Sequence, residues 1–119
     1  MSICVLAGGK ALTLGAALFT LSWTHSVEKI RWEEDWRATR AGLEIIEARV
    51  QGSGAGMEPP PEARFSEGWW RYRPSLPPRV QLALAASGAT GSGWRLCAAG
   101  SCHEIGTEAG EPVIVKYCE

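Results

Sequence analysis

Ile30-Arg31-Trp32-Glu33-Glu34-Asp35-Trp36-Arg37-Ala38 admits two readings, and the choice between them sets the fold. Glu, Arg and Ala are good helix formers, so propensity alone allows a helix from Val27 to Val50. The order of the residues argues otherwise. Ile30, Trp32, Glu34, Trp36 and Ala38 share one parity, and Arg31, Glu33, Asp35 and Arg37 share the other. A mostly apolar face opposite a charged one, with period two, is the pattern of an antiparallel strand wetted on one side. Just upstream, Phe19, Leu21 and Trp23 alternate with Thr20, Ser22 and Thr24 in the same way, and His25 continues the apolar face.

Working outward, strands are expected at Ile3 to Leu6, Lys10 to Leu14 and Leu18 onward, with Gly8-Gly9 as the first turn. Ala41-Gly42 turns the chain into a returning strand, Leu43 to Val50. Strict alternation there sets Glu44, Ile46, Ala48 and Val50 against Leu43, Ile45 and Glu47. Gly52 to Ala63 reads as a loop, since Pro59-Pro60-Pro61 lack the amide hydrogens of a ladder. Gly68 to Arg73, Val80 to Ala85, Trp94 to Cys97, Cys102 to Ile105 and Val113 to Tyr117 complete the set. About eight to ten short strands with regular turn signals predict an all-β fold, an antiparallel sandwich or partly closed barrel. Six tryptophans and fourteen glycines in 119 residues agree with it. One β domain over residues 1–119 is expected.

A formal net charge of −1, with no clustered basic run, argues against nucleic acid and anionic lipid as partners. Ile3 to Trp23 is long enough to span a bilayer. Lys10 would lie near its middle and Gly8, Gly9 and Gly15 interrupt it, so two short strands fit better than a transmembrane segment. Met1-Ser2-Ile3 lacks the basic start of a signal peptide, which leaves a cytoplasmic location open.

Cys97 and Cys102 flank a four-residue loop and would face each other across a hairpin, which suits a disulfide. Cys4 and Cys118 would pair if the terminal strands are neighbours. That arrangement points to an oxidising compartment. Four reduced thiols are the alternative. Zinc held by Cys97, Cys102 and His103 lacks a fourth ligand, so no metal is expected.

His25, Ser26, Glu28 and Lys29 gather an imidazole, a hydroxyl, a carboxylate and an amine in a short span, with Glu34 on the next strand. If residues 23–27 and 30–36 form a hairpin, His25 can reach Glu34 or Glu28. The pair would be a structural clamp, part of a ligand or partner site, or a proton-transfer pair. Gly52, Ser53, Gly54 and Gly56 offer backbone amides to an anion, or else simply meet the turn's need for positive φ. Ser26 faces away from its neighbour His25 in a strand. Ser53 with His25 as base, or a carboxylate-activated water, would make a small hydrolase. A purely structural subunit is the third reading. No residue is assigned a catalytic role, and no cofactor is expected.

Trp23-Thr24-His25-Ser26-Val27-Glu28-Lys29, then Glu33-Glu34 and Arg37, then Gly52-Ser53-Gly54-Ala55-Gly56-Met57 and Gly68-Trp69-Trp70, resemble a small bacterial family. It is the domain of unknown function numbered eighteen-fifty, and the resemblance covers roughly residues 18 to 105. It implies an extracytoplasmic, periplasmic accessory role beside a tripartite (TRAP) transporter with fused membrane subunits. The implied partners are transporter components or a small solute, with no established enzymatic activity. Relatives often begin with a hydrophobic export segment, whereas this chain reaches its first strand almost at once.

Overall fold

The computed structural model describes residues 2–24, 30–52, 60–86 and 93–118. These form eleven strands and no helix, so no helix is long and apolar enough to cross a membrane. They are β1 (Ser2–Ala7), β2 (Lys10–Leu14), β3 (Leu18–Thr24), β4 (Arg31–Thr39), β5 (Gly42–Gln51) and β6 (Arg64–Ser66). β7 (Trp69–Tyr72), β8 (Gln81–Ala86), β9 (Trp94–Ala98), β10 (Ser101–Ile105) and β11 (Gly110–Cys118) follow. The four-stranded sheet has the order β2-β1-β11-β8, and the seven-stranded sheet β10-β9-β3-β4-β5-β7-β6. All pairings are antiparallel. The arrangement is a sandwich.

Period-two patterning decides which side chains meet between the sheets. Phe19 and Leu21 from β3, Trp36 and Ala38 from β4, and Leu96 from β9 are buried against Ile3, Val5, Leu82, Leu84, Val113 and Val115 of the smaller sheet. Each such aliphatic side chain, fully buried, contributes about 1.5–3 kcal/mol. The charged parity of β4 faces the other way.

The register of β5 departs from simple alternation. Asp35 pairs with Glu47 but Trp36 pairs with Ile45, so Ile46 is an extra residue, a β-bulge. The bulge resets the parity. Leu43, Ala48 and Val50 are buried, and Ile46 and Glu44 do not share their face. The expected grouping of Glu44 and Ile46 with Ala48 and Val50 is therefore corrected. Two further corrections apply. Arg64–Ser66 adds a short strand before the tryptophan pair. Val80 is 82% exposed, because β8 starts at Gln81 and turns Leu82, Leu84 and Ala86 inward.

The two sheets are also tied through the backbone. Leu43 N–H donates to the Arg79 carbonyl at 2.6 Å, and Arg79 N–H returns to the Leu43 carbonyl at 2.9 Å. This close approach explains Gly42. Its φ is +125°, and an added β-carbon would run into the Arg79 carbonyl oxygen.

Cys97 and Cys102 are cross-strand partners in the β9–β10 hairpin and are disulfide-bonded, with α-carbons 4.0 Å apart. β1 pairs with β11, so the terminal strands are neighbours, and Cys4 is bonded to Cys118 with α-carbons 5.8 Å apart. No free cysteine remains among the described residues.

Candidate functional site

The hairpin of β3 and β4 aligns Trp23 with Trp32 and Thr24 with Arg31, so its connection, residues 25–29, leaves from one end of the seven-stranded sheet. β5 pairs Val50 with Trp32 and therefore ends at that same end, where the chain enters residues 53–59. β9 starts there too, with Trp94 following residues 87–92. Three connections thus leave from one edge of one sheet. His25, Ser26, Glu28, Lys29, Ser53, Gly54 and Gly56 lie on them, outside the described residues.

The flanks of the two motif segments touch. A β-carbon on Gly52 would lie 3.7 Å from Cγ2 of Ile30. The Gly52 amide donates to the Gly68 carbonyl at 2.8 Å, which ties the start of the glycine-rich segment to the β6–β7 turn. The sequence separates Ile30 and Gly52 by a whole hairpin, and the β4–β5 pairing brings them side by side.

Beneath this end runs a row of aromatic side chains on the inward face. Trp23 stacks on Trp32 with centroids 6.0 Å apart, and meets Trp94 at 4.8 Å. Val50 and Trp70 continue the row in register, and Phe65 closes it against Trp70 at 5.0 Å. Trp94 donates its indole N–H to the Ala85 carbonyl on β8 at 2.9 Å, bridging the sheets. Trp32 and Trp70 do not resolve so neatly. Their Nε1 atoms are buried and find no acceptor among the described residues. A buried donor without a partner is unfavourable by about 1–3 kcal/mol.

Glu34 stands one row deeper, opposite Leu21, with the Trp23–Trp32 pair between it and the end of the β3–β4 ladder. It faces the interior with Trp36, whose Nε1 donates to Oε1 at 3.1 Å. Burial pushes the Glu34 carboxyl above its ordinary value, while the Trp36 N–H and the Arg79 guanidinium pull the other way. Burial and the Glu34 charge together raise the Tyr72 hydroxyl. Any contact between Glu34 and His25 lies outside the described residues.

The raised pKa has a signed consequence. The folded state holds the Glu34 proton more tightly than the unfolded chain, so the acid is best tolerated protonated. Stability is then lost as pH rises from the unfolded value, about 4, through the raised folded value. Glu34→Gln keeps an acceptor for Trp36 and removes the charge. It should raise stability at neutral pH by about 1 kcal/mol, with the gain vanishing at acidic pH. Denaturant melts across pH check this, and a variant less stable at pH 7 than the parent refutes it.

On the outward face, Ser22 is buried and accepts from Nη2 of Arg31 at 3.1 Å. Arg31 is the first residue of β4, so this bond fixes where the strand begins. Alternation marks Ser22 only as a polar-face residue, and its burial depends on its register partners, Glu33 on β4 and Arg95 on β9, and on Arg31 reaching diagonally over it.

A cavity of about 380 Å³ opens at the opposite end of β3, lined by Leu18, Thr20, Asp35, Ile46, Cys97 and Gly100 among others. Its carboxylate, Asp35, is already engaged by Thr20 at 2.8 Å and by Arg49 at 2.7 Å. It offers no open polar group to a ligand through that residue. No group of three or more metal-ligating side chains occurs among the described residues.

The family model of a domain of unknown function, DUF1850, matches residues 19–105. That span runs from β3 through β10 and includes both motif segments and the aromatic row. The chain belongs to this family. No curated protein and no solved structure matches it.

Proposed function

We propose that this domain is a non-enzymatic binding module of an extracytoplasmic solute-uptake system of the TRAP type. Its contact surface is the loop-bearing end of the seven-stranded sheet, with His25, Ser26, Glu28 and Lys29 on one connection and Gly52 to Gly56 on the next. One observation carries the reading. Two segments distant in sequence have flanks that touch, Ile30 against Gly52, above a row of tryptophans two of whose buried indole donors lack acceptors among the described residues. Tryptophan is enriched where an apolar body meets a polar, wetted segment, which is the setting of a binding surface. The transporter link is an inference from the family resemblance of the His-Ser-Val-Glu-Lys string. Two disulfides support an oxidising compartment, the periplasm.

The test measures binding of the whole chain to the transporter's fused membrane subunit in nanodiscs and, separately, to its solute-binding protein. His25→Ala and Glu28→Ala should each weaken one of these contacts by about tenfold or more, as truncation of a central contact does. Their melting temperatures should stay with that of the parent. Undiminished binding by both variants, or no binding by the parent to either component, rejects the proposal.

A further inference from the structure

β2 ends the smaller sheet, and it is bare. Lys10, Ala11, Leu12 and Thr13 are all exposed and Leu14 is half-buried, although β1 beside it buries Ile3 and Val5 completely or nearly so. Leu12 is opposite Val5 and faces the larger sheet, yet it remains 37% exposed, because that sheet does not reach over it. The outward face is also apolar toward the hairpin turn, although Thr13 lies in the row of Cys4 and Lys116. Ala11 is opposite Leu6, itself 37% exposed, and Leu6 is opposite Ile114. Lys10 is the only charge on the strand. Exposed edges are normally blunted by charges, proline or bulges, and β2 has none of these in its middle.

The ladder fixes which backbone groups point outward. Gly8 and Gly9 have φ of +56° and +79°, the two positive values of a type I′ two-residue hairpin, and they join Ala7 to Lys10. The closing pair of such a hairpin is hydrogen-bonded, and bonded pairs then alternate with non-bonded ones. Lys10, Leu12 and Leu14 therefore spend their amides and carbonyls on β1. Ala11 and Thr13 aim theirs away from it, and neither has another backbone partner among the described residues.

We propose that β2 pairs antiparallel with β2 of a second copy of this chain, about a two-fold axis at Leu12, joining two four-stranded sheets into one of eight. Only this register uses both open residues: Ala11 bonds to Thr13 of the second copy and Thr13 to its Ala11. It sets Leu12 against Leu12 in a non-bonded pair, where side chains stand closest. It also sets each Lys10 opposite a Leu14, so no like charges meet. A slip by two residues in either direction leaves half of the open groups unpaired. The uncharged centre and this self-matching pattern favour a second copy over an unrelated strand.

The experiment uses the whole oxidised chain. Sedimentation velocity from micromolar to submillimolar concentration should show a monomer–dimer equilibrium. Hydrogen exchange at the Ala11 and Thr13 amides should slow by about tenfold or more as the dimer fills, since association adds to apparent stability by mass action. Thr13→Pro removes an amide hydrogen that β1 does not use, a substitution edge strands tolerate. It should stay folded by circular dichroism and sediment as a monomer. Leu12→Lys, which puts like charges opposite each other, should do the same without altering the backbone. A parent that stays monomeric throughout, a dimer that survives both substitutions, or amides at Ala11 and Thr13 that exchange equally at all concentrations overturns the proposal.

Discussion

Replacing Cys4 and Cys118 together by serine should lower stability by about 5 kcal/mol, against about 2 kcal/mol for Cys97 and Cys102, on a chain-entropy estimate. The asymmetry follows from what each bond closes. Cys4–Cys118 spans a sequence separation of 114, nearly the whole chain, whereas Cys97–Cys102 spans 5. Cutting the long loop frees far more of the unfolded ensemble. The long bond also ties β1 to β11, the central pair of the smaller sheet, and that sheet supplies half of the core wall. The hairpin bond joins strands already held by their own ladder, at the edge of the larger sheet. At about 4–5 °C per kcal/mol for a domain of this size, the first variant should melt some 20 °C lower and the second under about 10 °C lower. Calorimetry of both double-serine variants checks the order. Equal or reversed losses would mean that unfolded-state entropy is not what the long disulfide controls.

The fold was legible in the sequence wherever burial on one face leaves a two-residue rhythm. β3 and β4 show it without interruption, since Phe19, Leu21 and Trp23 on one strand meet Trp32, Glu34 and Trp36 on the next. β5 was legible only up to Ile46. A bulge adds a residue without any change of composition, so alternation counted across it assigns half of the strand to the wrong face. β6 escaped notice for another reason. At three exposed residues it has no rhythm to read, and it exists because β7 offers it an edge.

The candidate site was legible in its chemistry but not in its neighbours. His25, Glu28 and the glycines stand out by residue type. That Ile30 would lie against Gly52 depends on the β4–β5 register, which pairs Trp32 with Val50. Glu34 shows the limit from the other side. Its parity turns it inward, yet only the register shows that the Trp23–Trp32 pair lies between it and the end of the β3–β4 ladder. The number of tryptophans agrees with a β fold but does not reveal that Trp94, Trp23, Trp32 and Trp70 line up, because their alignment into one row requires five strands to be in place.

Arg49→Met should lower stability at neutral pH by about 3 kcal/mol, and its deficit should shrink on acidification. The charged parity of β4 reads in sequence as a wetted face. In the structure its carboxylates converge on the Arg49 guanidinium, only 12% of whose side chain is exposed, while Arg31 bridges Glu33 more loosely at 3.5 Å. Arg49 donates to Glu33 at 3.0 Å, to Asp35 at 2.7 and 2.9 Å, and to Glu47 at 2.8 Å. Thr20 from β3 and Arg71 from β7 join through Asp35 and Glu47, so the network crosses four strands. Methionine matches the stem in bulk but leaves three carboxylates crowded around an uncharged side chain. They are 25–36% exposed, so water screens part of the repulsion, and the cost falls at the low end of that for a broken buried pair. Glu47→Gln should cost under about 1 kcal/mol, because Arg49 keeps its other two partners.

The pH dependence carries the sign. Hydrogen bonds from Arg49, with a smaller one from Thr20, outweigh burial and hold the Asp35 carboxyl below its ordinary value. The stability this contributes is fully present above the unfolded value, about 4, and is lost as pH falls through the lowered folded value. The parent should therefore weaken in strong acid. The methionine variant has already forfeited that term, so the two stability curves should converge there. Curves that stay parallel from neutral pH into strong acid would mean that Arg49 acts through the packing of its stem, and that the ion-pair network does not set its contribution.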